Sequence, residues 1–190
     1  MLRAATHSDR KQLAFFKLRL SERISPYKIL RQMVPTFLQI AFSESSLWEN
    51  QFDFTSISVA GVLASERAEL AYFLLMDILC SMVYGVPQVL EYNTSTPPRG
   101  MYKYPLHGCA AEFQIILADI NARCARCSVA EDWQAIEQRL LDWKVPFFDT
   151  ESAEPWRATA QLAVQECWRQ TLLIYLYMVR RLHNPSISLI

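Results

Sequence analysis

Residues 65–87 read SERAELAYFLLMDILCSMVYGVP, and this stretch decides the fold. Ser65 stands where a helix cap belongs. Glu66 and Glu69 follow in the first turn, where a carboxylate meets the positive end of the helix dipole. From Leu70 onward apolar residues occupy nearly every face, which predicts a helix running to about Tyr84 through the interior rather than along the surface. Gly85, with Pro87 just beyond it, supplies the stop. Asp77 breaks the apolar run in its middle, which favours a buried core helix over a membrane span.

The same periodicity extends in both directions. Residues 8–22 carry Leu13, Phe16, Leu18 and Leu20 among Arg and Lys, a helical pattern. Ser25-Pro26 opens a second helix whose apolar set includes Ile29, Leu30, Met33, Val34, Phe37, Leu38, Ile40 and Ala41. Pro35 is expected to kink or divide it. Residues 43–49 form a short turn ending near Trp48, and 51–62 are either a short extended piece or a link between helices.

Beyond the central helix, residues 86–106 hold Pro87, Pro97, Pro98, Gly100 and Pro105 and make one long loop, the kind that carries function in compact domains. Residues 107–123 return to helix, with Ala111, Phe113, Ile115, Ile116, Leu117 and Ile120 as the buried set. Ser128 with Glu131 forms a capping box ahead of Trp133, Ile136, Leu140 and Leu141. Pro146 ends that helix, and Pro155 opens the last and longest one, through about Leu182. No strand pair, hairpin turn or internal repeat is visible. The expectation is all-α: an irregular multi-helix bundle of about six to eight helices without a substantial sheet. Residues 1–182 form one helical domain, and 183–190 a disordered or atypical tail.

Composition narrows the function classes. The chain has 190 residues, 52% of them hydrophobic, so it builds a core and is not a disordered segment. Four glycines, none close to another, exclude a Gly-rich phosphate loop. Nineteen basic and nineteen acidic residues cancel, but unevenly. Residues 1–35 hold eight basic and two acidic side chains, and 36–98 hold one basic and seven acidic. The surplus of six and the deficit of six are neighbours, so the first helices are expected to pack on, or steer toward, the acidic segment. The basic set Arg10, Lys11, Lys17, Arg19, Arg23, Lys28 and Arg31 reads as a solvated or paired helix face rather than a nucleic-acid patch.

Five scattered cysteines, an odd number, do not make a disulfide framework and point to a reducing compartment. No secretory signal is read at the start. Cys124 and Cys127 are the one close pair, and no second pair of ligands accompanies them, so neither zinc nor redox work is expected. His107 lies near Cys109 without the third group a nucleophile needs, and reads as a helix start with Cys109 on the packed face. No carboxylate pairing suits a di-metal bundle. Catalytic, cofactor-binding and metal residues are therefore expected to be absent. Aromatics gather on the last helix: Trp168 and Tyr175 share a face, and Trp156, Trp168 and Tyr175 are the candidate cleft for an effector or partner.

Three segments together resemble one family. Residues 66–92, ERAELAYFLLMDILCSMVYGVPQVLEY, are similar to a helix of the fungal-specific transcription factor domain that carries an internal Asp and ends at Gly-x-Pro before a Tyr-Asn/Asp-Thr turn. Here these are Asp77, Gly85, Pro87 and Tyr92-Asn93-Thr94. Residues 104–124, YPLHGCAAEFQIILADINARC, resemble the family's next helix through Gly108-Cys109 and Ile120-Asn121. Residues 151–178, ESAEPWRATAQLAVQECWRQTLLIYLYM, resemble its last helix. The resemblance covers roughly residues 40–178, and the chain is read as leaving the pattern after Met178.

The resemblance implies an all-helical regulatory domain that follows a six-cysteine zinc cluster in fungal transcription factors. No segment here matches that cluster, so zinc and direct DNA contact are expected only in a missing upstream part, and the chain reads as a fragment or short form. It further implies a nuclear, non-enzymatic protein without a cofactor of its own and with no membrane contact. Its partners would be proteins of the transcription machinery, a second copy of itself, or a small-molecule effector. Two other readings stay open: a helical interaction module unrelated to transcription, which would be cytoplasmic, and a helical enzyme with an apolar cleft bordered by 86–106.

Overall fold

The computed structural model describes residues 25–48, 55–95, 108–125, 132–144 and 155–183. The helix expected over residues 8–22, the middle and end of the 86–106 loop, His107, Cys127, Ser128 and the tail beyond His183 lie outside the described residues. Six α-helices are described: α1 (Pro26–Ala41), α2 (Val59–Ala64), α3 (Ala68–Tyr84), α4 (Ala111–Cys124), α5 (Trp133–Asp142) and α6 (Pro155–His183). A 3-10 turn spans Ser45–Leu47. The all-helical expectation holds, with one correction. Ile57–Ser58 (β1) and Tyr92–Asn93 (β2) pair in parallel, Ile57 opposite Tyr92 and Ser58 opposite Asn93.

α1 starts at Pro26, whose fixed φ suits the first helical position. The Ser25 hydroxyl makes no cap hydrogen bond; its carbonyl accepts the Lys28 and Ile29 amides instead. Pro35 does not divide the helix. It is exposed, and Phe37, Ile40 and Ala41 beyond it are buried in the core, which holds the last turns in place. Phe37 stacks on Phe73 with ring centroids 4.3 Å apart, locking α1 to α3.

Ser65 does not cap α3. It ends α2, donates to the Glu44 carboxylate at 2.9 Å and accepts the Arg67 amide at 3.1 Å. Arg67 in turn meets Glu44 at 2.7 Å, so the Ser65 hydroxyl helps join the 44–67 corner. Asp132 caps α5, accepting the Gln134 amide. Cys109 precedes α4 rather than lying on its packed face, and is fully buried all the same. Gly85 closes α3 in the left-handed conformation, φ 61°, as Gly at that position predicts.

α3 is the centre of the molecule. It packs against α1 and α2 on one side and α4 on the other, and α4 carries α5 and α6. Leu70, Leu74, Leu75 and Ile78 of α3 join Phe113, Ile116 and Ile120 of α4 and Leu172 and Leu176 of α6 in one continuous core.

Candidate functional site

Several polar groups are buried among the described residues, and three junctions built on them tie elements together. The first is Asp77. Its side chain is buried in mid-α3, where an unpartnered carboxylate would be prohibitively desolvated. It accepts the Val89 amide at 2.9 Å, the Leu90 amide at 3.3 Å and the Tyr92 hydroxyl at 2.9 Å. The segment leaving α3 therefore folds back onto it, which delivers Tyr92 and Asn93 to β1. Ser81 adds a bond from its hydroxyl to the Val86 carbonyl at 2.7 Å. Burial pushes the Asp77 carboxyl up to about 6, against the opposing pull of the Val89 amide, the Tyr92 hydroxyl and the Leu90 amide.

The second is Asn121 on α4. Its amide nitrogen donates to the Ile78 carbonyl at 2.9 Å, and its oxygen accepts the Tyr175 hydroxyl at 2.9 Å. One side chain thus joins α3, α4 and α6. The Cys124 thiol lies 3.7 Å from the same hydroxyl. Burial raises the Tyr175 hydroxyl above its ordinary range, with the Cys124 sulfur adding to it, so Tyr175 stays a protonated donor.

The third is the Gly108–Cys109 corner. Gln165 of α6 donates to the Gly108 carbonyl, and Gln114 of α4 donates to the Cys109 carbonyl at 3.4 Å. The two amide oxygens, Gln114 Oε1 and Gln165 Oε1, are buried without a protein partner. Gly108 has φ +69°, and a Cβ there would meet Val164 Cγ1 at 2.7 Å, so only glycine fits against α6.

The candidate aromatic set is split by this arrangement. Trp168 and Tyr175 are half-buried and pack against the core, Tyr175 beside Cys124. Trp156 is 63% exposed at the start of α6, with the Arg157 guanidinium over its ring. Twelve residues of helix separate Trp156 from Trp168, about 18 Å along the axis, so it does not join them. A shallow depression of about 20 Å³ lies elsewhere, between α1 and α3, lined by Met33, Thr36, Phe37, Ile40, Glu69, Leu70 and Phe73. It is smaller than the clefts that enclose most small ligands.

The interior thiols Cys80 and Cys109 are poorly suited to nucleophilic or metal chemistry. Burial pushes Cys109 up to about 12, and burial with the nearby Asp77 charge pushes Cys80 up to about 11. A binuclear zinc cluster needs six thiolates. The chain has five cysteines, two of them interior with raised thiols, so these residues do not fit such a cluster. Among the described residues no group of three or more His, Cys, Asp or Glu is placed to hold a metal, and no helix is long and apolar enough to cross a membrane.

Sequence reasoning passed over Asp77, Asn121 and Gln165 as site residues. Asp77 carried a usable signal: one carboxylate inside an otherwise apolar helix must be satisfied by something.

The model of the fungal specific transcription factor domain matches residues 50–189. The chain belongs to this family. Asp77, Tyr92, Gly108, Asn121 and Tyr175 all fall inside the match. The match spans residues 50–189, where the resemblance read from the sequence spanned roughly 40–178. Neither the curated proteins nor the solved structures contain a match to this chain. Membership in this transcription factor domain family gives the chain a regulatory role in transcription, and within the domain the three polar junctions set how α3, α4 and α6 are held.

Proposed function

We propose that this domain regulates transcription without catalysis, in the nucleus, by binding a protein partner or a small effector along the α4–α6 seam. The observation that carries the reading is the Asn121–Tyr175 bond, which places a polar, hydrogen-bonding group beside the Cys124 thiol where three helices meet. Trp168 and Tyr175 form the aromatic wall of that seam. A ligand reaching Tyr175 competes for the Asn121 oxygen and loosens α6 from α3 and α4, which is a population shift between two packings. Buried thiols with raised pKa and an Asp77 occupied by three donors support the non-catalytic part. The reading gives the chain no cofactor, and zinc and DNA contact belong to a separate cluster.

The experiment is a reporter assay with the chain fused to a heterologous DNA-binding module. Fused wild type should change reporter output relative to the module alone. Trp168→Ala and Tyr175→Phe should alter that change while circular dichroism shows the helices intact. Output identical to the module alone would overturn the reading.

A further inference from the structure

The Gly108–Cys109 corner gathers two buried acceptors that no described group matches. Gln114 of α4 is fully buried and Gln165 of α6 is 6% exposed. Each turns its amide nitrogen to the corner. Gln165 Nε2 donates to the Gly108 carbonyl, and Gln114 Nε2 to the Cys109 carbonyl at 3.4 Å. Gln114 Oε1 and Gln165 Oε1 are left buried without a donor among the described residues. Gly108 stands in the left-handed conformation, φ +69°, and the two successive carbonyls serve different helices, Gly108's α6 and Cys109's α4.

Rotating the amides does not remove the mismatch. A half-turn of either carboxamide would set its oxygen against a carbonyl oxygen and strand its nitrogen instead. The Cys109 thiol is turned to the Ala110 carbonyl at 3.6 Å. An acceptor left buried and unmatched costs more than a neutral amide–carbonyl bond returns. Two such glutamines would therefore serve the fold less well than two methionines, unless a donor from outside the chain meets their oxygens.

We propose that this corner is a binding site for buried water, with water donating to Gln114 Oε1 and to Gln165 Oε1. Buried polar groups without a protein partner are where integral waters sit, and water is the smallest neutral donor. The two amide oxygens and the two carbonyl oxygens are all uncharged, so a cationic donor finds no countercharge among them. A carbonyl oxygen has two lone pairs, so the Gly108 and Cys109 carbonyls can accept from water as well as from the glutamines. Val164 Cγ1 lies 2.7 Å from where a Cβ on Gly108 would stand. α6 therefore sits tightly on the corner, and water held there exchanges slowly with solvent. The site joins α4, the corner and α6, and it does not depend on the regulatory reading.

A high-resolution crystal structure of the purified chain tests it, together with oxygen-17 relaxation dispersion of water in solution. The map should show water within about 3.2 Å of each glutamine oxygen. The dispersion should show a long-lived water in wild type that the Gln114→Met/Gln165→Met double variant lacks. Gln165→Met alone is the second comparison, because it keeps the Gln114–Cys109 bond, and the wild-type map needs no variant to fold. A map in which either oxygen meets only carbon, or a donor of the chain itself, would overturn the proposal. So would equal numbers of long-lived waters in wild type and in both folded variants. A dry corner would leave the reporter outcome untouched.

Discussion

The Tyr92 hydroxyl donates to the Asp77 carboxylate at 2.9 Å across fifteen residues of chain. With the Val89 and Leu90 amides on the same carboxylate, this bond turns the chain leaving α3 back against the helix it came from. The two-residue β pair follows from it, because Tyr92 and Asn93 are held where Ile57 and Ser58 can meet them.

Removing the acceptor should therefore release the segment. Asp77→Ala leaves two amides and a hydroxyl without their carboxylate, a loss of about 2–4 kcal/mol in urea unfolding. Hydrogen exchange at Val89 and Leu90 should accelerate in this variant more than exchange in α5.

Asp77 also sets a pH dependence. Its pKa lies near 6 in the folded chain against 3.8 ordinarily, so the folded state binds more protons between those values. Its favourable contribution is complete below pH 4 and is lost as pH rises through 6, a change of about 2–3 kcal/mol. Unfolding free energies from pH 4 to 7 should fall for wild type by that much more than for Asp77→Asn.

The Asn121 junction predicts coupling across three helices. Asn121→Ala should cost about 1–3 kcal/mol and Tyr175→Phe about 1 kcal/mol. Because the two side chains share one bond, the double variant should lose less than the sum of the two. Thermal and denaturant unfolding of the four proteins measure it.

Arg139 of α5 meets Asp119 of α4 at 2.8 Å, with the Asp119 side chain only 3% exposed. Arg139→Leu takes the charge away from a buried carboxylate and should cost about 2 kcal/mol, less than a fully buried pair because Arg139 itself reaches water. Asp119→Asn in the same background should recover part of the loss.

The two left-handed glycines should respond differently. Gly85→Ala meets nothing within 4 Å and carries only backbone strain, about 1 kcal/mol. Gly108→Ala carries the same strain and also strikes Val164, so its melting temperature should drop further. Gly108→Ala combined with Val164→Ala should recover the steric part alone.

The amino-acid sequence by itself determined the helical class, the central place of α3, its stop at Gly85, the start of α6 at Pro155 and the family. Each of these follows from local signals: periodicity, glycine and proline conformational limits, and residue order. Capping was less legible. Ser65 looks like a cap for α3, but Glu44 and Arg67, distant from each other in sequence, engage it in a corner between α2 and α3. Asp77 was visible as an interruption, while its partners fifteen residues away were not, since hydrogen-bond closure across a turn leaves no periodic trace. α6 shows the limit most clearly. It carries two apolar stripes at helical spacing, one with Leu172 and Leu176 and one with Ile174 and Met178. Local pattern cannot choose between them, because both satisfy the same period. Only the packing of α4 against one side decides which stripe is core and leaves the other facing outward.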